Sequence, residues 1–188
     1  MKCELKTTRL RLRPCRMEDI ELACGLRTDA RVRRFLFDDR IISWADACSF
    51  IEASLVNFER CGYGLWLAFA RAGTCLIGFA GFLRPEGEAP SLIYGVQPGF
   101  WGKGYATEAA GAVLRYALES LAVPLVKADV DEPNVTSVRV LEKLGMSRTG
   151  RAIVAGRPLI YYEESRSRRA QSNLGIDPTP LHESSRDD

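Results

Sequence analysis

Phe100-Trp101-Gly102-Lys103-Gly104-Tyr105-Ala106-Thr107-Glu108 decides how this chain is read, because a glycine-spaced turn runs straight into a long apolar-periodic segment. Gly102 and Gly104 let the backbone come close to a ligand. The first N–H groups of a helix lack partners within it and carry partial positive charge, so the pattern predicts a cradle for phosphate oxygens. A pyrophosphate-bearing ligand fits such a cradle.

Upstream, Ser91-Leu92-Ile93-Tyr94-Gly95-Val96 reads as a strand that reaches the cradle through Pro98-Gly99, and Gly95 within it predicts a bulge. Downstream, residues 104–120 carry Ala106, Ala109, Ala110, Val113, Leu114, Ala117 and Leu118 at helical spacing, a broad apolar surface meant for a sheet. Pro124 ends the connector. Leu125-Val126-Lys127-Ala128-Asp129-Val130 is then a strand that the crossover helix makes parallel to the one before it, a right-handed βαβ unit. Pro133-Asn134 opens another helix with Val135, Val138, Leu141 and Leu144 as its stripe and Gly145 as its stop. Strands from Arg148 to Ala155 and from Pro158 to Glu163, turning at Ala155-Gly156-Arg157, close the domain.

Before the cradle, Thr8 to Arg13 alternates leucine with arginine, the pattern of a strand whose arginines face solvent. Met17 to Thr28 reads as a helix, Val32 to Phe37 as a short helical turn, and Ser43 with Asp46 as the cap of a second helix ending near Arg60. That second helix keeps Trp44, Ala47, Phe50, Ile51, Leu55 and Phe58 on a packed face. Leu65 to Ala70 and Leu76 to Phe82 form an antiparallel hairpin around Arg71-Ala72-Gly73-Thr74. The fold class is α+β: one domain over residues 1–164 with a mixed sheet and helices packed on it. Residues 165–188, rich in Ser, Arg, Asp and Pro, read as a disordered tail.

Composition narrows the function. With 188 residues, 46% hydrophobic, 27% charged and a net charge of +2, the chain is ordinary globular protein with no demand for a polyanionic partner. The six cysteines show no CxxC spacing, and the sole histidine, His182, lies in the tail. Ser-His and Cys-His nucleophiles and histidine-rich metal sites are thereby disfavoured, and no metal is expected. The start lacks the apolar run of a signal peptide and no segment is apolar enough to span a membrane, so the expected location is the cytoplasm, with reduced thiols.

Two other phosphate loops fit poorly. A Walker A run is absent, and a dinucleotide fingerprint needs glycine or alanine where Thr107 stands, although Asp129 mimics its ribose-binding acid. Trp101-Gly102-Lys103-Gly104-Tyr105-Ala106 instead resembles the Q/R-x-x-G-x-G/A loop of GNAT-superfamily acyltransferases, with Gly104 and Ala106 at its two small positions. Residues 100–109 and 134–145 look like the branch that contains ribosomal-protein N-terminal acetyltransferases, and residues 8–14 and 156–162 resemble its first and last strands.

The resemblance implies acetyl-CoA, as co-substrate, lying between two splayed parallel strands. Backbone groups of Gly102, Lys103, Gly104, Tyr105, Ala106 and Thr107 would hold its pyrophosphate, and Val96 and Gln97 would flank its pantetheine arm. Asn134 would hydrogen-bond the cofactor and Ser137, one helical turn on, would aim its hydroxyl at the thiol sulfur. Asn134 reads equally as a helix cap. The implied reaction is acetyl transfer to a primary amine by direct attack in a ternary complex, the acceptor being a protein N-terminus or a small amine. Backbone N–H groups near Val96 are placed to meet the developing oxyanion.

Two positions depart from the family pattern. The frequent thiolate-protonating tyrosine falls at Leu141, which leaves Ser137 or water, and Ser91 stands where many relatives carry glutamate. Glu88, or Tyr94 through a water, is the expected substitute base. The alternative these departures raise is a non-catalytic acyl-CoA-binding or regulatory module. Nucleic-acid binding through the arginine-rich strand and tail is a third, unfavoured reading, no membrane partner is expected, and the chain is expected to be a monomer or homodimer.

Overall fold

Eight segments of extended chain carry the architecture: β1 (Leu5–Lys6), β2 (Leu10–Pro14), β3 (Leu65–Ala70), β4 (Leu76–Leu83), β5 (Ser91–Val96), β6 (Leu125–Asp131), β7 (Ser147–Val154) and β8 (Arg157–Ser165). They come from a computed structural model that describes residues 3–22, 25, 43–83 and 88–173. One eight-stranded sheet results, in the order β1-β2-β3-β4-β5-β6-β8-β7. Neighbours run antiparallel except β5 and β6, which are parallel, as the crossover between them requires.

Among the described residues, four α-helices accompany the sheet: α1 (Trp44–Cys61), α2 (Tyr105–Arg115), α3 (Val135–Lys143) and α4 (Arg166–Asn173). Two cores follow from the alternation of side chains along the strands. In one, Leu92, Val96, Val126, Ala128 and Val130 meet Ala109, Val113 and Leu114 of α2 and Leu141 of α3. In the other, Leu65, Leu67, Phe69 and Phe79 meet Ile51 of α1, with Ile93 and Leu55 packed at the edge. The expected mixed fold with helices on both faces is therefore what forms.

Local signals explain the helix ends. Ser43 Oγ accepts from Asp46 N at 3.1 Å while the Asp46 carboxylate accepts from Ser43 N at 3.1 Å, a reciprocal capping box at the start of α1. Ala47, Ile51 and Phe58 are buried along α1, but Trp44 on its first turn is exposed. The β7–β8 hairpin turns on Ala155 and Gly156, both with positive φ (48° and 80°), the handedness that a two-residue turn between twisted strands needs.

Three expectations are corrected. Gly95 makes no bulge: β4 and β5 stay in register from Gly78↔Val96 to Leu83↔Ser91, and the glycine is there because a Cβ would lie 2.6 Å from Phe79 Cε1. The arginines of β2 are not a free solvent face, although Leu10 and Leu12 are fully buried as expected. Arg13 grips Asp19 with bonds of 2.6 and 2.7 Å, and Arg9 and Arg11 pair with Glu108 and Glu4. Polar partners from six to 99 residues away, invisible to a period-2 pattern, account for the difference.

The third concerns the tail. Residues 166–173 form α4 in place of disorder, held by Ser165 Oγ accepting from Arg168 N (3.2 Å), by Arg166 N donating to Pro124 O (3.1 Å) and by Arg169 beside Glu119 (3.2 Å). Polar anchoring supplies what apolar burial does not. Residues beyond 173, the Val32–Phe37 turn, and much of the Met17–Thr28 helix, which begins as a single turn at Met17–Asp19, lie outside the described residues. No described helix is long and apolar enough to cross a membrane.

A close backbone approach in the sheet gives a test. A Cβ at Gly81 would sit 2.1 Å from Gly64 O, whereas one at Gly99 would meet nothing within 4 Å. Gly81→Ala is expected to cost about 1–3 kcal/mol in urea unfolding, and Gly99→Ala less than about 0.5 kcal/mol.

Candidate active site

β5 and β6 share one ladder pair, Ser91↔Lys127, with Lys127 N donating to Pro90 O at 3.0 Å. Beyond it the two strands part. On its other side β5 remains paired with β4 to its end, where Gln97 N donates to Ile77 O at 2.9 Å. Antiparallel bonding alternates, so the N–H groups of Tyr94 and Val96 point away from β4 and into the gap facing β6. Val96 O, on the same side, accepts the Trp101 indole N–H at 2.7 Å.

The cradle lies beside this gap. A turn at Pro98–Phe100 leads to Gly102 (φ 72°) and Gly104 (φ 78°), and Gly104 is the N-cap of α2 with no side chain closing that end. The N–H groups that open α2 at Tyr105, Ala106 and Thr107 are thus left to an outside acceptor. A Cβ at Gly102 would meet nothing within 4 Å, so the concavity is open to a ligand. Lys103 turns aside, its Nζ donating to Gly99 O at 3.1 Å.

Glu108 and Arg9 underpin the loop. The Glu108 carboxylate accepts from Thr7 Oγ1 (2.6 Å), Arg9 N (2.8 Å) and Arg9 Nε (2.6 Å), and Arg9 Nη1 donates to Lys103 O (2.9 Å). Burial alone would raise the Glu108 carboxyl, but the hydrogen bonds from Thr7 and Arg9 hold it below the usual carboxylate range. Behind them lies a cavity of about 360 Å³ whose walls include Thr107, Gly111, Arg115, Lys143 and Arg169.

On the opposite wall of the gap, Asn134 caps α3, its Oδ1 accepting from Ser137 N at 3.2 Å. The capping role is therefore real, and the amide nitrogen of the same side chain is not part of that bond. Tyr94 OH donates to Ser137 O at 3.2 Å, which brings these two expected residues together. Burial pushes the Tyr94 phenol up to about 12, so it holds its proton and is a poor base. Leu141 is buried in the core. Glu88 is exposed and precedes β5 at the end where β5 and β6 are still paired. The length of β5, five rises from Ser91 to Val96 or roughly 17 Å at about 3.3 Å each, then separates it from the level of Val96.

The carboxylate that does reach the gap is Asp129. Val126, Ala128 and Val130 of β6 face the core shared with α2, so Lys127, Asp129 and Asp131 face the α1 side, as do Ile93 and Gly95 of β5. Asp131 is ion-paired with Arg157. The carboxylate of Asp129, two residues beyond the last ladder pair, is met by its own backbone N–H and has no ion pair among the described residues, and desolvation by burial raises it above the usual range. The sequence held the signal: an acid alternating with buried apolar residues in the strand after the cradle helix. No cluster of His, Cys, Asp or Glu suited to a metal occurs among the described residues.

A mixed sheet parted at its parallel pair, with a glycine-capped helix N-terminus at the opening, is the architecture of an acetyltransferase. The model of the acetyltransferase (GNAT) domain family matches residues 9–147, and the chain belongs to that family. It is 29% identical over 148 residues to YnaD of Bacillus subtilis (strain 168), an uncharacterized N-acetyltransferase, covering 78% of this chain and 84% of that one. It is 30% identical over 157 residues to the FsC-acetyl coenzyme A-N(2)-transacetylase of Aspergillus fumigatus, covering 76% of this chain and 64% of that one.

Solved structures share the fold. A GNAT-family acetyltransferase from Bacillus anthracis superposes with a TM-score of 0.72 at 23% identity, covering 87% of this chain and 99% of that one. RimL, a ribosomal L7/L12 alpha-N-protein acetyltransferase solved in complex with coenzyme A, gives 0.73 at 16% identity, covering 86% and 97%. The protein is an acetyl-transferring enzyme of the GNAT family.

The raised Tyr94 phenol makes stability depend on alkaline pH. Its folded value near 12 exceeds the unfolded value near 10, so the stabilisation is complete below pH 10 and is lost as pH rises toward 12. Tyr94→Phe is expected to make that decline shallower in urea unfolding from pH 9 to 12. The remainder belongs in part to Tyr116, also pushed up to about 12 by burial.

Proposed function

We propose that the protein moves the acetyl group of acetyl-CoA to a primary amine by direct attack in a ternary complex. The observation that carries this reading is the parted β5–β6 pair, with the Val96 N–H facing into the gap and the uncapped α2 N-terminus beside it. Backbone amides from Gly102 to Thr107 hold the pyrophosphate, Val96 and Gln97 flank the pantetheine arm, and Asn134 offers its amide nitrogen to that arm. Arg115 and Lys143, in the cavity next to Thr107, give phosphate a cationic wall.

Acetyl-CoA supplies a thioester carbonyl. The donor enters from the α2–α3 side of the sheet and the amine from the α1 side, where Asp129 has no ion pair among the described residues. Asp129 takes the proton of the attacking amine, the Val96 N–H meets charge developing on the carbonyl oxygen, and the Ser137 hydroxyl or water returns a proton to the sulfur. Asp129 thus replaces Glu88 and Tyr94 as the base, and it fills the role that Ser91 cannot. An N-terminal α-amine, with a pKa near 7.7–8.0 against about 10.4 for lysine, is the acceptor that demands least of such a base. The proposed acceptors are a protein N-terminus or a small primary amine.

A second reading, an acyl-CoA-binding module without turnover, rests on Ser91 and Leu141. Incubation with acetyl-CoA and a panel of peptides, polyamines and aminoglycosides, followed by free-thiol release, separates the two. Turnover is expected, with Asp129→Asn lowering kcat by about 10²- to 10⁴-fold while calorimetry shows unchanged CoA affinity. CoA binding without thiol release across the whole panel selects the second reading. Gly104→Glu, which puts a charged side chain at φ 78° inside the cradle, is expected to abolish CoA binding.

A further inference from the structure

We infer that Arg9 is a positioning residue for the phosphate cradle: pinned by Glu108, its guanidinium fixes the Lys103–Gly104 peptide so that the Gly104 N–H points at the ligand. The inference rests on the acetyl-CoA reading of the site and concerns a residue that lies in no part of the loop.

Three bonds define the arrangement. Arg9 Nε meets Glu108 Oε2 at 2.6 Å, Arg9 N meets Glu108 Oε1 at 2.8 Å, and Arg9 Nη1 meets Lys103 O at 2.9 Å. The guanidinium carbon also lies over the Tyr105 ring, 4.3 Å from its centroid. The guanidinium is thus bonded to Glu108 and to the Lys103 carbonyl, and its charge is matched by Glu108, so it serves as a strut.

The geometry of the peptide unit does the rest. In a planar trans peptide the C=O and N–H point in opposite directions. Holding Lys103 O against Arg9 therefore sends the Gly104 N–H the other way, toward the amides that open α2. Without the strut, the Lys103–Gly104 peptide is free to flip about the ψ of Lys103 and the φ of Gly104, since glycine at 104 tolerates either sign of φ.

A strut predicts a loss in cofactor affinity that is separable from folding and from chemistry. Arg9→Ala, Arg9→Lys and Glu108→Gln are compared by calorimetric titration with CoA, with thermal melts alongside and with Arg11→Ala as a control. Arg11, two residues on and within β2, pairs with Glu4 and lies over Phe69. Arg9→Ala is expected to weaken CoA by about tenfold or more and to raise KM for acetyl-CoA while kcat at saturation is retained. Lysine, which keeps the charge but not the fork, is expected not to restore affinity.

Glu108→Gln is expected to weaken CoA as well, and the Arg9→Ala, Glu108→Gln double variant no more than the worse single variant, as for one unit. Should Arg9→Ala fail to fold, Arg9→Lys and Glu108→Gln decide the matter. Wild-type affinity in those variants, full rescue by lysine, or an equal loss in Arg11→Ala overturns the inference. Failure of the wild-type protein itself to bind CoA overturns the acetyl-CoA reading instead.

Discussion

A single backbone ladder pair between Ser91 and Lys127 is the constraint on which the site depends. A parallel sheet that stayed paired to the ends of β5 and β6 would have closed its own backbone groups and left nothing to offer a ligand. Because pairing stops, the polar groups on one side of β5 need other partners, and buried backbone groups rarely go without them. Val96 O finds the Trp101 indole, which draws the segment after β5 back across the strand end and sets where the glycine turn begins. The gap and the cradle are consequences of one interruption.

Strand alternation then sorts the chemistry onto two faces. Even-numbered residues of β5 and β6 meet α2 and α3, where Tyr94 touches the first turn of α3 through Ser137. Odd-numbered residues meet the α1 side, where Asp129 has no ion pair among the described residues and Asp131 is held by Arg157. The two faces of the gap thus differ in chemistry, and a one-residue slip in β6 would exchange its carboxylate for an apolar side chain.

What was legible in the sequence was local. The glycine turn, the crossover helix, the Ser43–Asp46 cap and the Gly145 stop each depend on residues within a turn or two, and each stands where the pattern put it. Distant partners were not legible. The Leu-Arg alternation of β2 marked the buried leucines but not Asp19 or Glu108, and Gly95 suggested a bulge because the ring of Phe79 could not be seen from the strand alone. The place of Glu88 relative to the gap was not legible for a related reason. Glu88 is close to β5 in sequence, yet the gap opens at the other end of that strand, a fact set by where the ladder stops. The helix after β8 was missed because its anchors, Pro124 O and Glu119, belong to a connection some forty to fifty residues earlier.

The Arg9–Glu108 contact joins groups 99 residues apart, and this bears on how the chain reaches its native state. Contacts of such long range form only after the intervening loop has been closed, so the strut cannot precede the central hairpin and the crossover. The ligand loop is then among the last parts of the molecule to be completed. Any compound that grips it selects the fully assembled chain over partly ordered forms, and its binding free energy is added to the stability of the whole domain.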